Sequence, residues 1–169
     1  WPSDIIGQDN CPSKADDSGL KSDADIKSLY EDCSEISVSH TDNKVINGCD
    51  WTITRTYTIK DACDNQFTKT MSVSGKDQTA PELIGTWPTN ITGQDNCFAN
   101  ADKSGLKSES DIASLYDDCS GVTVTYTDAN TNTDDCGWTI TRTYKIVDAC
   151  GNQVLPSPEM SVSGSDQTA

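Results

Sequence analysis

The chain has 169 residues, of which 27 are acidic and 12 are basic, so its formal net charge at pH 7 is −15. Such a surface repels the phosphates of nucleic acids and of anionic membranes, which argues against nucleic-acid binding. No apolar run is long enough to cross a bilayer, so membrane insertion is not expected either.

The sequence contains the same unit twice. Residues 51–57, Trp-Thr-Ile-Thr-Arg-Thr-Tyr, return unchanged as residues 138–144, and four cysteines recur 86 or 87 residues later. Self-similarity at a fixed period is typical of tandem repeats. We assign residues 1–80 to repeat one and residues 81–169 to repeat two. The second copy stops before a counterpart of residues 81–86, so we expect the chain to be a piece of a longer array.

The first predicted strand opens each unit and covers residues 83–91 in repeat two. A short helix follows over residues 22–30, because Ile26, Leu29 and Tyr30 are spaced i, i+3 and i+4. Ser22 and Asp25 resemble a capping box at its start. The copy of this helix covers residues 108–116.

Three further strands complete each repeat, and the clearest is a run that alternates apolar residues with threonine. Pro156 and Pro158 precede the last strand of repeat two, which predicts an edge or a bulge there. Many short strands with one helical crossover predict an all-β fold, namely two tandem immunoglobulin-like β-sandwich domains. The strands are predicted at residues 36–41, 51–59 and 67–73, and again at 122–126, 138–146 and 160–162.

Each repeat carries four cysteines. A domain of about 85 residues gains only a few kcal/mol from its apolar core, so covalent support is expected. No pair is spaced Cys-x-x-Cys and the chain has one His, which argues against zinc. Two disulfides within each repeat are therefore predicted, in an oxidising compartment.

Three pairings are possible within a repeat. If the strands at residues 36–41 and 51–59 are antiparallel neighbours, Cys33 and Cys63 lie at the same end of the domain. This favours Cys33–Cys63 with Cys11–Cys49 in repeat one, and by equivalence Cys119–Cys150 with Cys97–Cys136 in repeat two.

No catalytic constellation is visible, so we expect no enzyme. The single His40 aligns with Tyr126, and no serine lies in a Gly-x-Ser-x-Gly turn. Arg55 and Arg142 lie on the otherwise apolar face of their strands. An arginine at the end of the sandwich that either extends its head group to solvent or pairs with a carboxylate is expected there, and a glycan contact is the alternative.

Acidic side chains recur at loop positions, which makes calcium the candidate cofactor. Calcium takes about six to eight oxygen ligands, which loop carboxylates and backbone carbonyls can provide. No EF-hand loop is present, so solvated turn acids are the alternative interpretation. The candidate ligands are Asp77 at the end of repeat one and Asp118, Asp148 and Asn152 in repeat two.

The junction between the repeats is a short linker without a Gly/Ser tether. Trp87, Asp77 and Pro81 are the residues expected to lie there. Proline restricts the residue before it and disfavours a flexible hinge, so the sequence predicts a stiff connection.

Two phrases of the sequence resemble a known family. Residues 138–144 followed by Asp-Ala-Cys-Gly-Asn at 148–152 resemble the HYR-like immunoglobulin-type repeats of bacterial surface proteins. The longer phrase at residues 74–94, together with residues 111–116, is similar to the repeats of SprB-type adhesins of gliding bacteria. The resemblance covers essentially the whole chain, and repeat one departs from it at Asp64, where repeat two has Gly151.

The resemblance implies a cell-surface filament that is exported by the type IX secretion route and acts in adhesion and gliding. Its partners would be neighbouring repeats of the same chain and a surface polysaccharide or substratum. A non-enzymatic stalk segment is the leading interpretation, and a glycan-binding surface module is the alternative. An exposed aromatic platform repeated in both copies would favour the alternative.

Overall fold

The computed structural model describes residues 1–134 and 137–168 and divides into two compact units, Trp1–Gln78 and Thr79–Ala169. The boundary lies two residues before the one assigned from the sequence. The prediction of a β-rich chain with a few short helices is confirmed, since two four-stranded mixed sheets dominate the fold. Among the described residues, no helix is long and apolar enough to cross a membrane.

The two units share their main elements in the same order, and unit 2 has two additional short strands. Each opens with a short strand, continues through a 3-10 turn and a short helix, and ends with three longer strands. Unit 1 contains β1 (Ile5–Asp9), α1 (Asp23–Lys27), β2 (Ser37–Asn47), β3 (Asp50–Lys60) and β4 (Gln66–Lys76). Unit 2 contains β5 (Glu82–Leu83), β6 (Ile91–Asp95), α2 (Glu109–Ala113), β7 (Tyr116–Asp117), β8 (Val122–Asp134), β9 (Gly137–Asp148) and β10 (Glu159–Ser165).

The sheet of each unit is an antiparallel meander with one parallel strand added. The strand order is β1-β4-β3-β2 in unit 1 and β6-β10-β9-β8 in unit 2. The parallel pairs, β1 with β4 and β6 with β10, each contain a register shift. Because β10 lies between β6 and β9, the predicted edge position of this strand is wrong, and Pro156 and Pro158 lie before the strand.

The alternation in β3 decides which face of the sheet is buried. Trp51, Ile53, Arg55, Tyr57 and Ile59 are all buried, while the threonines between them are half-buried on the other face. A period of two places successive side chains on opposite faces, so one register buries the whole apolar set. Strand β9 repeats this pattern from Trp138 to Ile146.

The segment between β1 and β2 covers the apolar face of the sheet in unit 1. Its helix begins at Ser22, whose side chain accepts a hydrogen bond from the Asp25 backbone N–H, and the capping box is complete. The buried Leu20 and Ile26 of this segment pack into the same core as Trp51 and Tyr57. Fully burying a large apolar side chain contributes about 1.5–3 kcal/mol. Each unit therefore pairs one sheet with a helix-containing layer, and the immunoglobulin-like assignment stays a prediction.

Asp64 adopts a left-handed backbone conformation. Its φ is 68°, and that of its counterpart Gly151 is 88°. A side chain at such a φ costs energy that glycine avoids, although Asp is among the residues that tolerate it best. The Asp64 carboxylate also forms an ion pair with Lys60.

Candidate functional site

A buried arginine, Arg55, lies in the middle of β3 on the same face as its apolar residues. The Arg55 Nε and Nη2 atoms donate to the two carboxylate oxygens of Asp42 over 2.8 and 2.6 Å. Nη2 also donates to Asp17 Oδ2 over 2.7 Å, and Nη1 donates to the Lys21 carbonyl over 3.3 Å. The Tyr57 hydroxyl donates to the same carbonyl over 2.5 Å. The prediction of a carboxylate-paired arginine is confirmed.

The two-point contact explains how a guanidinium is tolerated at this depth. The Arg55 residue is only 8% exposed, and a buried charge costs several kcal/mol unless it is paired and hydrogen-bonded. The hydrogen bond from Arg55 holds the pKa of the Asp42 carboxyl below its usual value, against the opposing effect of burial. The same bond raises the pKa of Arg55, so both groups stay charged.

Unit 2 contains the equivalent arginine with different neighbours. Arg142 donates from Nε and Nη2 to Asp128 over 2.7 and 3.0 Å, and the Tyr144 hydroxyl donates to the Lys107 carbonyl over 2.7 Å. Lys103 replaces Asp17 and lies 3.6 Å from Asp128. The Tyr126 ring lies 3.7 Å from the guanidinium carbon, a cation–π contact. The pKa of Asp128 is lowered, chiefly by the Arg142 hydrogen bond.

His40 occupies the position that Tyr126 has in unit 2. Its Nδ1 lies 2.6 Å from Asp23 Oδ1 at the start of α1, and its ring lies 6.1 Å from the Tyr57 ring. The contact ties the helix to β2. It fits the prediction of a residue on the face of a strand.

The cysteines pair differently from the prediction. Cys11, Cys49, Cys119 and Cys150 are disulfide-bonded, while Cys33 and Cys63 carry free thiols. The predicted pairs Cys33–Cys63, Cys11–Cys49 and Cys119–Cys150 are wrong, and the predicted Cys97–Cys136 pair includes Cys136, which lies outside the described residues.

The error lies in one assumption. Strands β2 and β3 are antiparallel neighbours, as the pairing argument required. The argument then assumed that a shared end of the domain brings the two thiols of Cys33 and Cys63 within bonding distance. A disulfide needs Cα atoms about 4.4–6.8 Å apart, which a shared end does not guarantee.

The residues proposed for calcium occupy loop ends with defined hydrogen bonds. Asp148 is 5% exposed and accepts from the backbone N–H groups of Cys150 and Asn152, both over 2.8 Å, and from the Asn152 side chain over 2.7 Å. Asp118 accepts from the Ser120 backbone and hydroxyl. Asp77 is buried at the end of unit 1, and its N–H donates to the Cys49 carbonyl. Asp148 and Asn152 thus hydrogen-bond to each other within one loop. Calcium binding by these residues stays a prediction.

The residues proposed for the junction have contacts inside a single unit. The Trp87 ring packs edge-on against Tyr144 at 5.7 Å, and its Nε1 donates to the Glu159 carbonyl over 3.0 Å. Trp1 makes the equivalent contact with Tyr57 at 5.5 Å in unit 1. Pro81 is buried within unit 2. The sequence analysis did not predict these contacts, although each Trp lies 56 or 57 residues before its Tyr partner in the sequence.

A groove in unit 1 escaped the sequence analysis. It has a volume of about 200 Å³, and we call it the Tyr30 groove. Tyr30 packs edge-on against Phe67, with ring centroids 5.4 Å apart, and Phe67 is 44% exposed. A hydrogen bond to Asp32 raises the pKa of the neighbouring Cys33 thiol. The groove is lined by Tyr30, Glu31, Ile36, Ile59, Asp61 and Phe67, among others.

Comparisons with known proteins add no relative. A scan against protein-family models and a search of curated proteins both return no match.

Proposed function

We propose that the chain is a non-enzymatic repeat segment of an extracellular bacterial adhesin filament, built from immunoglobulin-like repeats. It acts as a rigid, extended stalk in surface adhesion and gliding motility. The resemblance to the SprB-type repeats of gliding bacteria suggests this role, and the export route and cell-surface location follow from the same resemblance. Neighbouring repeats and a surface polysaccharide or substratum are the proposed partners.

The observation that carries the proposal is the duplication of a unit that contains disulfide-bonded cysteines. Cys11 and Cys49 in unit 1 and Cys119 and Cys150 in unit 2 all take part in disulfides. Disulfides persist in oxidising compartments, which supports a location outside the cytoplasm.

The duplicated core also supports a mechanical role. Both units bury the same Trp, Ile, Arg, Tyr and Ile series on their central strand. Both repeats thus keep the same core packing and the same buried arginine–aspartate pair. An array of such repeats consists of many similar folded units, one after another along the chain, as in other repeat proteins.

Single-molecule stretching of the full chain between its termini tests the proposal. After reduction all 169 residues extend, which gives about 590 Å. The oxidised chain should have a shorter contour length, because Cys11, Cys49, Cys119 and Cys150 are disulfide-bonded and the residues between two bonded cysteines cannot extend.

An oxidised contour length equal to the reduced one would contradict the cross-linked stalk. Surface labelling of intact cells of the source bacterium, with antibodies against this segment, tests the location. Cells that show the epitope only after lysis would overturn the extracellular role, whatever the contour lengths are.

A further inference from the structure

In unit 2, a linker segment adds a strand to the edge that follows the helix. Strand β5 pairs antiparallel with β7, with Leu83 opposite Tyr116 and Glu82 opposite Asp117. The N–H groups of Ile84 and Gly85 both donate to the Leu115 carbonyl, over 2.9 and 3.2 Å. A methyl group at Gly85 would lie 2.8 Å from Leu115 Cδ2, so the segment fits closely against this edge.

The covered edge in unit 2 is well packed. Tyr116 is only 8% exposed, and Leu115 is half-buried against the core. Pro81, which immediately precedes β5, is buried as well.

The equivalent edge of unit 1 is open. Leu29 and Tyr30 are the counterparts of Leu115 and Tyr116, and Leu29 is 53% exposed while Tyr30 is half-buried. Residues 29–31 lie outside the named strands, and beside them lies the Tyr30 groove with the exposed Phe67 ring. The linker phrase of residues 79–86 occurs once in the sequence, and it belongs to unit 2.

We infer that the Tyr30 groove and residues 29–31 of unit 1 bind an extended peptide of the linker type, Thr-Ala-Pro-Glu-Leu-Ile-Gly-Thr, supplied by another repeat. The peptide adds a strand at Tyr30 and Glu31, as β5 does at Tyr116 and Asp117. In such strand addition, backbone hydrogen bonds supply affinity, and side-chain pockets supply specificity. The inference rests on the proposed function, since it requires a partner built from the same repeat.

The occupant of the equivalent edge in unit 2 supports the choice of partner. That edge holds the linker segment, with Leu83 opposite Tyr116. A linker segment of another repeat, rather than an unrelated peptide, is therefore the occupant that matches this edge.

Titration of the full ¹⁵N-labelled chain with a synthetic peptide of residues 78–86 tests the inference. We expect the amide resonances of Tyr30, Glu31 and Phe67 to shift, while those of Tyr116 and Asp117 stay unchanged. The Leu29→Asp variant should weaken binding about tenfold or more, because it places a charge against the apolar edge. Ile6→Asp is the matched control, since Ile6 is 77% exposed on β1 and does not line the groove, and binding should be unchanged.

Two modified peptides sharpen the test. Methylation of the Ile84 nitrogen removes a donor that unit 2 uses and should abolish the shifts. A Glu82→Gln peptide should bind about two- to threefold tighter, because Glu82 would face Glu31 and like charges opposite each other destabilise a strand pair.

Equal binding of a scrambled peptide, or of the parent peptide to Leu29→Asp, would overturn the inference, as would shifts confined to Tyr116 and Asp117. Absence of any shift at millimolar peptide would overturn it too. None of these outcomes alters the contour lengths or the cell-surface labelling that test the proposed function.

Discussion

The arginine sites of the two units differ in how they balance the same buried charge. Arg55 contacts two carboxylates, those of Asp42 and Asp17, at 2.6 to 2.8 Å. Among the residues that the structure describes, Arg142 contacts the carboxylate of Asp128 alone, which also lies 3.6 Å from Lys103. A Tyr126 ring lies against Arg142, where unit 1 has His40.

The comparison teaches which parts of the site the fold requires. The bidentate carboxylate and the tyrosine hydroxyl bond to a lysine carbonyl are present in both units. The second carboxylate, that of Asp17, is replaced by Lys103 in unit 2, and His40 is replaced by Tyr126. A buried guanidinium needs one carboxylate that accepts two hydrogen bonds from it. More exposed side chains next to this pair can differ between the units.

The largest expected effect comes from removing each arginine. Arg55→Met leaves both Asp42 and Asp17 without their cation, whereas Arg142→Met leaves Asp128 beside Lys103. We expect a loss of about 3 kcal/mol in unit 1 and about 2 kcal/mol in unit 2. Amide hydrogen exchange of β3 and β9 measures the opening free energy of each unit separately.

Ile53→Val and Ile140→Val are the matched controls for this pair. Both residues are buried in equivalent places, so each should cost about 1 kcal/mol, with no difference between the units. If the two arginine variants also cost the same, the number of carboxylates does not matter, and the comparison fails.

Acidification should weaken both sites. The pKa values of Asp42 and Asp128 are lowered in the folded chain by their arginine hydrogen bonds, from an ordinary value of 3.8. A lowered pKa contributes stability that is fully present above the unfolded value and is lost as pH falls through the folded pKa. We therefore expect exchange protection of β3 and β9 to fall below about pH 4.

Asp42→Asn and Asp128→Asn separate this effect from other carboxylates. Each variant should be less protected at neutral pH and should lose less protection on acidification, in its own unit only. An acid response of β3 that is unchanged in Asp42→Asn would show that other acids cause it.

The smallest expected effect comes from exchanging Asp17 and Lys103, the half-exposed residues beside the two arginine sites. Asp17→Lys should destabilise unit 1 and Lys103→Asp should stabilise unit 2, each by about 0.5 kcal/mol, because Asp17 is half exposed and such pairs contribute little. Denaturant-dependent exchange at low and high salt measures the difference. The effects should shrink at about 1 M salt, where screening is nearly complete, and effects that persist at high salt would contradict the electrostatic explanation.

Local patterns in the sequence determined the repeats, the buried face of β3 and β9, and the capped helix. Each of these signals spans only a few neighbouring residues, as the Ser22 and Asp25 pair does. Strand alternation and capping depend on bonding between near neighbours, so they can be predicted from one sequence.

Only the tertiary structure decided which distant groups meet. Asp17 is 38 residues from Arg55, and the parallel pairing of β1 with β4 joins opposite ends of unit 1. The sequence marked Arg55 as a charge on an apolar face but did not identify its partners, because many of the 27 acids could have served. Long-range pairing depends on how the whole unit packs, so the sequence by itself does not select one partner among several.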